Sequence, residues 1–238
     1  MNAENKPLIV ISGTSSGIGL AMAREMLERG YAVLGLVKDA AGDKLAHPQY
    51  RQEPIDLADP KAVEPRIRAI IASLGQPVRA LVNNAGIGRM GHLEQLSLAD
   101  MELVMNTNFL SHAIVTKAFL PLLKGQGRGD IVFIGSEAAL RGGRQGSLYC
   151  ASKFAIRGFA QSLREECGKS GVRVSLINPG AVRTPFFDEL HFEPGENAEN
   201  ALAPEDIAAA LAMIIEARPG AVLEEINLSP RIPSWRRK

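Results

Sequence analysis

The stretch LIVISGTSSGIG, residues 8–19, decides the fold of this chain. Its first four residues are apolar and predict a buried strand, and a helical pattern follows over 18–29. Glycines between a strand and a helix let the backbone approach a pyrophosphate, and the helix N-terminus offers unpaired N–H groups at the positive end of its dipole. The spacing is G-x-x-x-G-x-G rather than the commoner G-x-G-x-x-G, so this stretch alone fits a simple tight turn about as well as a nucleotide site.

Short apolar runs alternate with helical patterns along the rest of the chain. Runs this apolar suit strands buried on both faces, so we predict an α/β fold: a doubly wound, Rossmann-type parallel sheet of about seven strands with helices on both faces. Asp59-Pro60 predicts a helix start, with the aspartate as N-cap and the proline first in the helix. The predicted strands are 8–11, 32–37, 50–55, 80–82, 131–134, 172–177 and 222–228, and the predicted helices are 18–29, 61–74, 101–123, 154–169 and 205–217.

Composition narrows the class of partner. The 238 residues include 27 Lys+Arg and 26 Asp+Glu, for a net charge of +1, so no broad basic field for nucleic acid is expected. No apolar stretch is long enough to span a membrane, and the first residues lack a signal-peptide pattern, so we expect a cytoplasmic protein. With no linker or repeat, 1–238 is expected to form a single domain. The four histidines show no ligand spacing, so no metal is expected.

Tyr149 and Lys153 lie four residues apart, so a helix would place both side chains on one face. A phenol has a reference pKa of about 10, and an ammonium about 4 Å away, at an effective dielectric of ~20, would favour the phenolate by roughly 4 kcal/mol, or about three pKa units. The pair therefore predicts acid/base chemistry on an alcohol or carbonyl, with Ser136 as a third member. Taken alone, a chance i,i+4 contact is the alternative.

Six motifs resemble, in order and spacing, the single-domain branch of the short-chain dehydrogenase/reductase family. They are Gly13 to Gly19, Asn83-Asn84-Ala85-Gly86, Asn108, Ser136, Tyr149-x-x-x-Lys153 and Asn178-Pro179-Gly180. The resemblance covers nearly the whole chain and implies a seven-stranded, doubly wound sheet that holds NAD or NADP across the carboxyl ends of its strands. It also implies a homodimer or homotetramer, paired through the helices predicted at 101–123 and 149–169.

The resemblance implies four catalytic residues: Ser136, Tyr149, Lys153 and Asn108. Tyr149 would exchange a proton with the substrate oxygen, Ser136 would hydrogen-bond to that oxygen, and Lys153 would lower the tyrosine pKa and bind the nicotinamide ribose. Asn108 would hold a water that links the lysine to solvent, and a buried asparagine bonded to a helix carbonyl is the alternative. The implied cofactor contacts are Gly13, Ser15, Ser16, Gly17, Ile18, Gly19, Val37, Lys38, Asp56, Leu57, Asn83, Ala85, Gly86, Tyr149, Lys153, Pro179, Gly180, Val182 and Thr184.

The end of the second predicted strand bears on the choice between NAD and NADP. Val37 stands where an aspartate would accept hydrogen bonds from the adenosine ribose, and Lys38 supplies a cation for a 2′-phosphate. We therefore predict NADP(H), with Lys38 as an ordinary solvated residue the alternative. Asp56 and Leu57 resemble the family's adenine-contacting pair, although Asp56 could equally cap a turn.

A segment of weak structure at about 184–203 is expected to close over the substrate as a lid. Arg141 and Arg144 lie where a substrate carboxylate could be bound, and a solvated loop is the alternative. The tail, 231–238, holds four basic residues and the only Trp, and is expected to be solvated or to contact a neighbouring subunit. Candidates for an apolar pocket wall, with ordinary packing as the alternative, are Phe186, Phe187, Leu190, Met90 and Leu140.

The sequence therefore suggests an NADP-dependent oxidoreductase that transfers a hydride between nicotinamide and a small-molecule carbonyl or secondary alcohol. Two alternatives stay open at this stage. An epimerase or dehydratase that retains its cofactor suits the longer two-domain branch of the family better than 238 residues. A catalytically silent, NADP-sensing regulator or scaffold is expected to have lost the tyrosine, lysine or serine, and all three are present.

Overall fold

The computed structural model describes residues 7–39 and 45–238; residues 1–6, on which most of the signal-peptide expectation rests, lie outside them. Within the described residues, one seven-stranded parallel sheet and one two-stranded ribbon form. The strands are β1 (Leu8–Ser12), β2 (Ala32–Val37), β3 (Tyr50–Pro54), β4 (Val78–Asn83), β5 (Gly129–Ile134), β6 (Val172–Pro179), β7 (Phe192–Pro194), β8 (Glu225–Leu228) and β9 (Trp235–Arg237). The sheet order is β3-β2-β1-β4-β5-β6-β8, and β7 pairs with β9.

Helices cover both faces of the sheet. Val63, Phe119 and Ile156 belong to the apolar cluster on one face, and Met22 and Leu211 belong to the cluster on the other. The α-helices of the described part of the chain are α1 (Gly17–Glu28), α2 (Pro60–Ala72), α3 (Leu98–Met105), α4 (Ser111–Gly125), α5 (Ser147–Cys167) and α6 (Pro204–Glu216). The predicted doubly wound α/β fold is therefore confirmed. None of these helices is both long and apolar enough to cross a membrane.

Local sequence explains most element boundaries. Every residue of β1, β2, β4 and β5 is buried, as expected for predominantly apolar strands of a sheet covered on both faces. The β3 strand lies at the sheet edge and is only partly buried, which explains its weak pattern. At the start of α2, the Asp59 carboxylate accepts hydrogen bonds from the backbone N–H groups of Lys61 and Ala62, and Pro60 is the first helical residue, as predicted.

The long helix predicted over 101–123 is interrupted. One turn of π-helix, Asn106–Leu110, separates α3 from α4. A hydrophobic period does not reveal a single wide turn, so the pattern continues across it. Turns of this kind occur often at functional sites, and this one carries the fully buried Asn108.

The C-terminal tail also differs from expectation. Its residues remain exposed, yet β9 pairs antiparallel with β7 of the same chain, with Phe192 opposite Arg237 and Pro194 opposite Trp235. Backbone bonds extend the pairing, since Ile232 N–H donates to the Glu199 carbonyl at 3.0 Å. The tail therefore packs onto the segment predicted as a lid. Strand partners about forty residues apart leave no local signal.

A buried ion cluster lies near the amino ends of β4, β5 and β6. The Asp130 carboxylate is 1% exposed and pairs with the guanidinium groups of Arg79 and Arg173, the latter at 2.6 Å. Arg173 also donates to the carbonyl of Ile214 at 2.9 Å, near the end of α6. Cations at a helix C-terminus satisfy its unpaired carbonyls and oppose its dipole. The cluster thus joins three strands to one helix. It was not predicted from the sequence.

Candidate active site

The carboxyl ends of the parallel strands open onto two adjoining cavities. The large cavity, about 1040 Å³, is lined by Ser136, Tyr149 and Lys153 among others. The small cavity, about 470 Å³, is lined by the glycine turn after β1 and by the residues that follow β2 and β3. Asn84 and Thr184 line both cavities, so the two spaces adjoin. Ligands of open α/β sheets bind at this edge.

The glycine turn contains two glycines with positive φ and one close backbone contact. Gly13 and Gly17 have φ of +76° and +54°, a conformation that favours glycine. A Cβ on Gly19 would lie 2.0 Å from the Gly13 carbonyl oxygen, so no larger residue fits there. Ser16, at the N-cap of α1, makes no side-chain capping bond, so it leaves the N–H groups of the first turn to another acceptor. A dinucleotide pyrophosphate fits this turn.

The last residue of β4 and the residue after it are both asparagines, and they have different surroundings. Asn83 is fully buried, donates to Thr116 Oγ1 at 2.9 Å and lines neither cavity. Asn84 lines both cavities, and its Nδ2 donates to the Ser12 carbonyl at 2.8 Å. Ala85 and Gly86 line the small cavity. Successive residues of a strand point to opposite faces, so the choice between neighbours depended on where the strand ended.

Val37 is the last residue of β2, and its surroundings differ from those of Lys38, which follows it. Val37 is 2% exposed and lines neither cavity, whereas Lys38 lines the small cavity. Lys38 Nζ lies 3.5 Å from Asp56 Oδ2, and both side chains are largely exposed, so the pair is weak. The same aspartate accepts a hydrogen bond from Ala58 N–H at 2.9 Å and therefore also caps a turn. Leu57 lines the small cavity.

Ser136, Tyr149 and Lys153 converge in the large cavity. Ser136 follows β5 directly, and its Oγ accepts a hydrogen bond from Ala138 N–H at 3.1 Å. Tyr149 and Lys153 lie in the first turns of α5, with Lys153 Nζ 5.7 Å from the centre of the tyrosine ring. The lysine also donates to the Ile134 carbonyl at 3.1 Å. The arrangement places a proton donor, a hydrogen-bond donor and a cation around one point.

The expected depression of the Tyr149 pKa is wrong for the protein alone. Burial raises the pKa of Tyr149 to about 12, although its hydrogen bond with Ser136 opposes the rise. Burial lowers the pKa of Lys153 to about 8. Attraction between the two charges favours the ionised pair, but removing each group from water disfavours its own charged form more strongly here.

Asn108 is buried, as its alternative interpretation predicted, but its backbone partner is Ile87 of the loop after β4 rather than a helix carbonyl. Its Oδ1 accepts from Ile87 N–H at 2.9 Å, and its Nδ2 donates to the Ile87 carbonyl at 3.0 Å and to Ser152 Oγ at 3.1 Å. The side chain thus ties the loop after β4 to α5. A Cβ on Gly86 would lie 3.4 Å from Asn108 Oδ1 and 3.6 Å from Lys153 Nζ, so the backbone passes closely beside both groups.

His112 is a buried neighbour of the site that sequence reasoning did not assign. Its Nε2 donates to the Ala85 carbonyl at 2.8 Å. Burial first, and then the charge of Lys153, lowers the pKa of His112 to about 3, so the ring stays neutral. His112 lies four residues after Asn108, and residues at this spacing share a helix face. This spacing could have indicated from the sequence that His112 lies near the site.

The remaining predicted residues divide between the cavity wall and the core. Phe186 lies 5.8 Å from Tyr149, ring centre to ring centre. Leu190 is buried in a small apolar cluster and Leu140 is exposed, and neither lines a cavity. Predicted residues that line the large cavity include Met90, Phe186, Phe187, Pro179, Gly180, Val182, Thr184, Arg141 and Arg144. Those in the small cavity include Gly13, Ser15, Ser16, Gly17, Ile18 and Gly19.

Comparison with known proteins agrees with this geometry. A family model described as short chain dehydrogenase matches residues 7–194. Sepiapterin reductase of Chlorobaculum tepidum is 34% identical over 239 positions, covering 94% of this chain and 96% of that protein. An alcohol dehydrogenase from the archaeon Thermococcus sibiricus, solved with 5-hydroxy-NADP, has a TM-score of 0.83 at 28% identity, covering 94% of this chain and 96% of that one.

A more distant structure shares the fold alone. The 3-ketoacyl-(acyl-carrier-protein) reductase of Brucella melitensis, solved with NADH, has a TM-score of 0.82 at 23% identity, covering 96% of this chain and 99% of that one. The family model spans more than half of the chain, and the sepiapterin reductase aligns over nearly all of it. The chain therefore belongs to the short-chain dehydrogenase family of NAD(P)-dependent oxidoreductases.

Proposed function

We propose that this protein is an NADP(H)-dependent oxidoreductase that interconverts a ketone or aldehyde and the corresponding alcohol. The observation that carries the proposal is the convergence of Ser136, Tyr149 and Lys153 in the cavity that adjoins the glycine turn. The relatives named reductase and alcohol dehydrogenase support the same class of reaction. Ser136, Tyr149 and Lys153 are the proposed catalytic residues, and Asn108 is a positioning residue.

The proposed chemistry follows from the protonation state of each group. A bound dinucleotide would supply the hydride from its nicotinamide ring, and the glycine turn would hold its pyrophosphate. Ser136 donates a hydrogen bond to the substrate carbonyl oxygen, and Tyr149 gives that oxygen a proton as negative charge develops on it. A tyrosine with a pKa of about 12 is protonated at neutral pH, which is the form that carbonyl reduction needs. The Lys153 cation then stabilises the phenolate.

The deciding experiment measures NADPH oxidation with a panel of ketones and aldehydes. We expect turnover with at least one class of carbonyl compound. Tight NADPH binding without turnover of any member would favour a silent cofactor-sensing protein instead. Product formed without net NADPH consumption would favour an epimerase or dehydratase that retains its cofactor.

We predict that Lys38→Ala lowers kcat/KM for NADPH by about tenfold or more and leaves kcat/KM for NADH nearly unchanged. Lys38 lines the small cavity, where a charge-assisted bond to a 2′-phosphate is worth roughly 1.5–3 kcal/mol. Substitution at Val37 is avoided, because an aspartate at this 2% exposed site would be a buried charge. Lys61→Ala is the control, since this exposed lysine lines neither cavity. Equal kcat/KM of the wild-type protein for NADPH and NADH would contradict the proposed NADP preference.

We also predict that kcat/KM for NADPH falls above about pH 8. This parameter reports groups of the free enzyme, in which burial lowers the Lys153 pKa to about 8. As pH rises through that value the ammonium loses its proton, and with it the charge that supports ribose binding and proton transfer. His112, with a pKa of about 3, is already neutral near pH 8 and does not change the pH profile of kcat/KM in this range. A profile that stays level through pH 8 and well beyond would contradict the assignment to Lys153.

A further inference from the structure

Positive charge is concentrated around the large cavity. Two cations, Lys38 and Arg89, balance two acids, Asp56 and Glu189, around the small cavity. The large cavity has Glu137 as its only acidic lining residue within 7–39 and 45–238. Its cationic lining residues are Arg141, Arg144, Lys153, Arg236, Arg237 and Lys238. Since the whole chain carries a net charge of only +1, this excess is a property of the cavity and not of the surface in general.

Most of these cations already have a protein acceptor. The pairs are Arg141 with Glu137, Arg236 with Glu193 and Glu196, Lys238 with the carbonyls of Phe187 and Asp188, and Lys153 with the carbonyl of Ile134. Arg144 and Arg237 form no ion pair with any acid of the described chain. Two arginines without a carboxylate partner therefore line a cavity that also contains the proposed catalytic tyrosine.

The ribbon of β7 and β9 brings Arg237 to the wall of the large cavity. Arg237 lies opposite Phe192, and Trp235, two residues earlier, projects from the same face of the ribbon. The Trp235 ring contacts Phe192 at 5.4 Å and Phe187 at 5.8 Å between centres. Phe187 in turn contacts Phe186, the ring beside Tyr149, at 5.3 Å. A continuous aromatic layer thus extends from the tail to the catalytic phenol.

We propose that the substrate carries an anionic group, a carboxylate or a phosphate, that is bound by Arg237 of the C-terminal ribbon and by Arg144 of the loop before α5. This inference rests on the proposed carbonyl chemistry and names its substrate class. The planar guanidinium presents paired N–H donors that match both anions. The aromatic layer accommodates an apolar segment between the anion and the carbonyl carbon that faces Tyr149. The tail is accordingly part of the substrate site.

The test compares charged and neutral forms of the same ketone. A homologous series of aliphatic oxo acids is assayed with NADPH against the methyl ester of each acid and against a hydroxyketone phosphate. We expect kcat/KM for the acids or for the phosphate to exceed kcat/KM for the esters by at least about tenfold. The anion with the higher kcat/KM shows whether the substrate carries a carboxylate or a phosphate. In Arg144→Ala/Arg237→Ala, KM for the anion should rise by about tenfold to a hundredfold, while KM for the ester stays unchanged.

Arg231→Ala is the matched control. Arg231 lies in the same tail and is exposed, but it pairs with Glu199 and lines neither cavity. Its replacement should leave the kinetics of acid and ester unchanged. Equal kinetics for acid and ester in the wild type would overturn the anion site while the oxidoreductase function stands. An equal loss for both in the double variant would also overturn it.

A binding measurement separates this proposal from the reaction itself. Trp235 is the only Trp of the chain and lines the cavity, so its fluorescence reports occupancy without turnover. We expect saturable quenching by the oxo acid in the wild type and in Arg231→Ala, and much weaker quenching in the double variant. The same pattern without any carbonyl reduction would refute the proposed activity and keep the anion site. No saturable quenching by acid or phosphate would overturn the site.

Discussion

Replacement of Tyr149 by phenylalanine is expected to lower kcat for carbonyl reduction by about a thousandfold, the scale of a lost general acid. The phenol lines the large cavity, and at a pKa of about 12 it holds its proton at neutral pH. Ser136 can still hydrogen-bond to the substrate oxygen in the variant, but a serine hydroxyl is too weak an acid to replace the phenol. The loss should therefore fall on kcat rather than on cofactor affinity.

The measurement pairs steady-state kinetics with an NADPH fluorescence titration. Tyr31→Phe provides a matched control, because Tyr31 is only partly buried and lines neither cavity. It should retain wild-type kcat, and both variants should bind NADPH with similar affinity. Retention of more than about a tenth of the wild-type kcat in Tyr149→Phe would show that another group delivers the proton, since a general acid is worth at least about a hundredfold.

Replacement of Asp130 by asparagine is expected to lower the free energy of unfolding by about 3–5 kcal/mol, as for other broken buried ion pairs. The Asp130 carboxylate, 1% exposed, lies between the guanidinium groups of Arg79 and Arg173. Without it, two nearly buried cations face each other with only carbonyl groups as acceptors. The loss is large because the remaining charges stay in the interior, and it does not measure the net value of the intact cluster.

Urea unfolding at neutral pH measures this loss. Glu64→Gln is the control, because Glu64 pairs with Arg68 and Lys117 at the surface and its replacement should have little effect. Asp130 begins β5 and Ser136 follows the end of the same strand, so kcat of the folded Asp130→Asn variant should remain close to that of the wild type. A loss of less than about 1 kcal/mol would indicate that water reaches the cluster and compensates for the missing charge.

Short-range patterns account for what could be predicted of the fold. The predicted strand 32–37 matches β2, because its apolar run is bounded by polar residues and every residue is buried. Asp59-Pro60 starts α2 because both residues act within one helical turn. The interruption at Asn106–Leu110 was missed, because a hydrophobic period does not reveal a single wide turn; the Asn108 in this turn bonds to Ile87, a residue of the loop after β4.

The site was predictable only as far as the topology determines it. Ser136, at the end of β5, and Tyr149, at the start of α5, had to reach the same edge of the sheet once the strands were parallel. Which of Asn83 and Asn84 lines the cavities could not be read from the sequence, because it depended on the residue at which β4 ends. The pairing of Lys38 with Asp56 and of β7 with β9 joins segments with no common local pattern.

The amino-acid sequence by itself determined the order along the chain of the seven main-sheet strands, the glycine turn and the three side chains that meet at the large cavity, because hydrophobic period and residue spacing act locally. Only the tertiary structure decided the pKa values of Tyr149 and Lys153, the cluster around Asp130 and the cationic wall that includes Arg237. These properties depend on the loss of water and on partners tens of residues away. The loss of water and the contacts with distant partners arise only when the chain has folded.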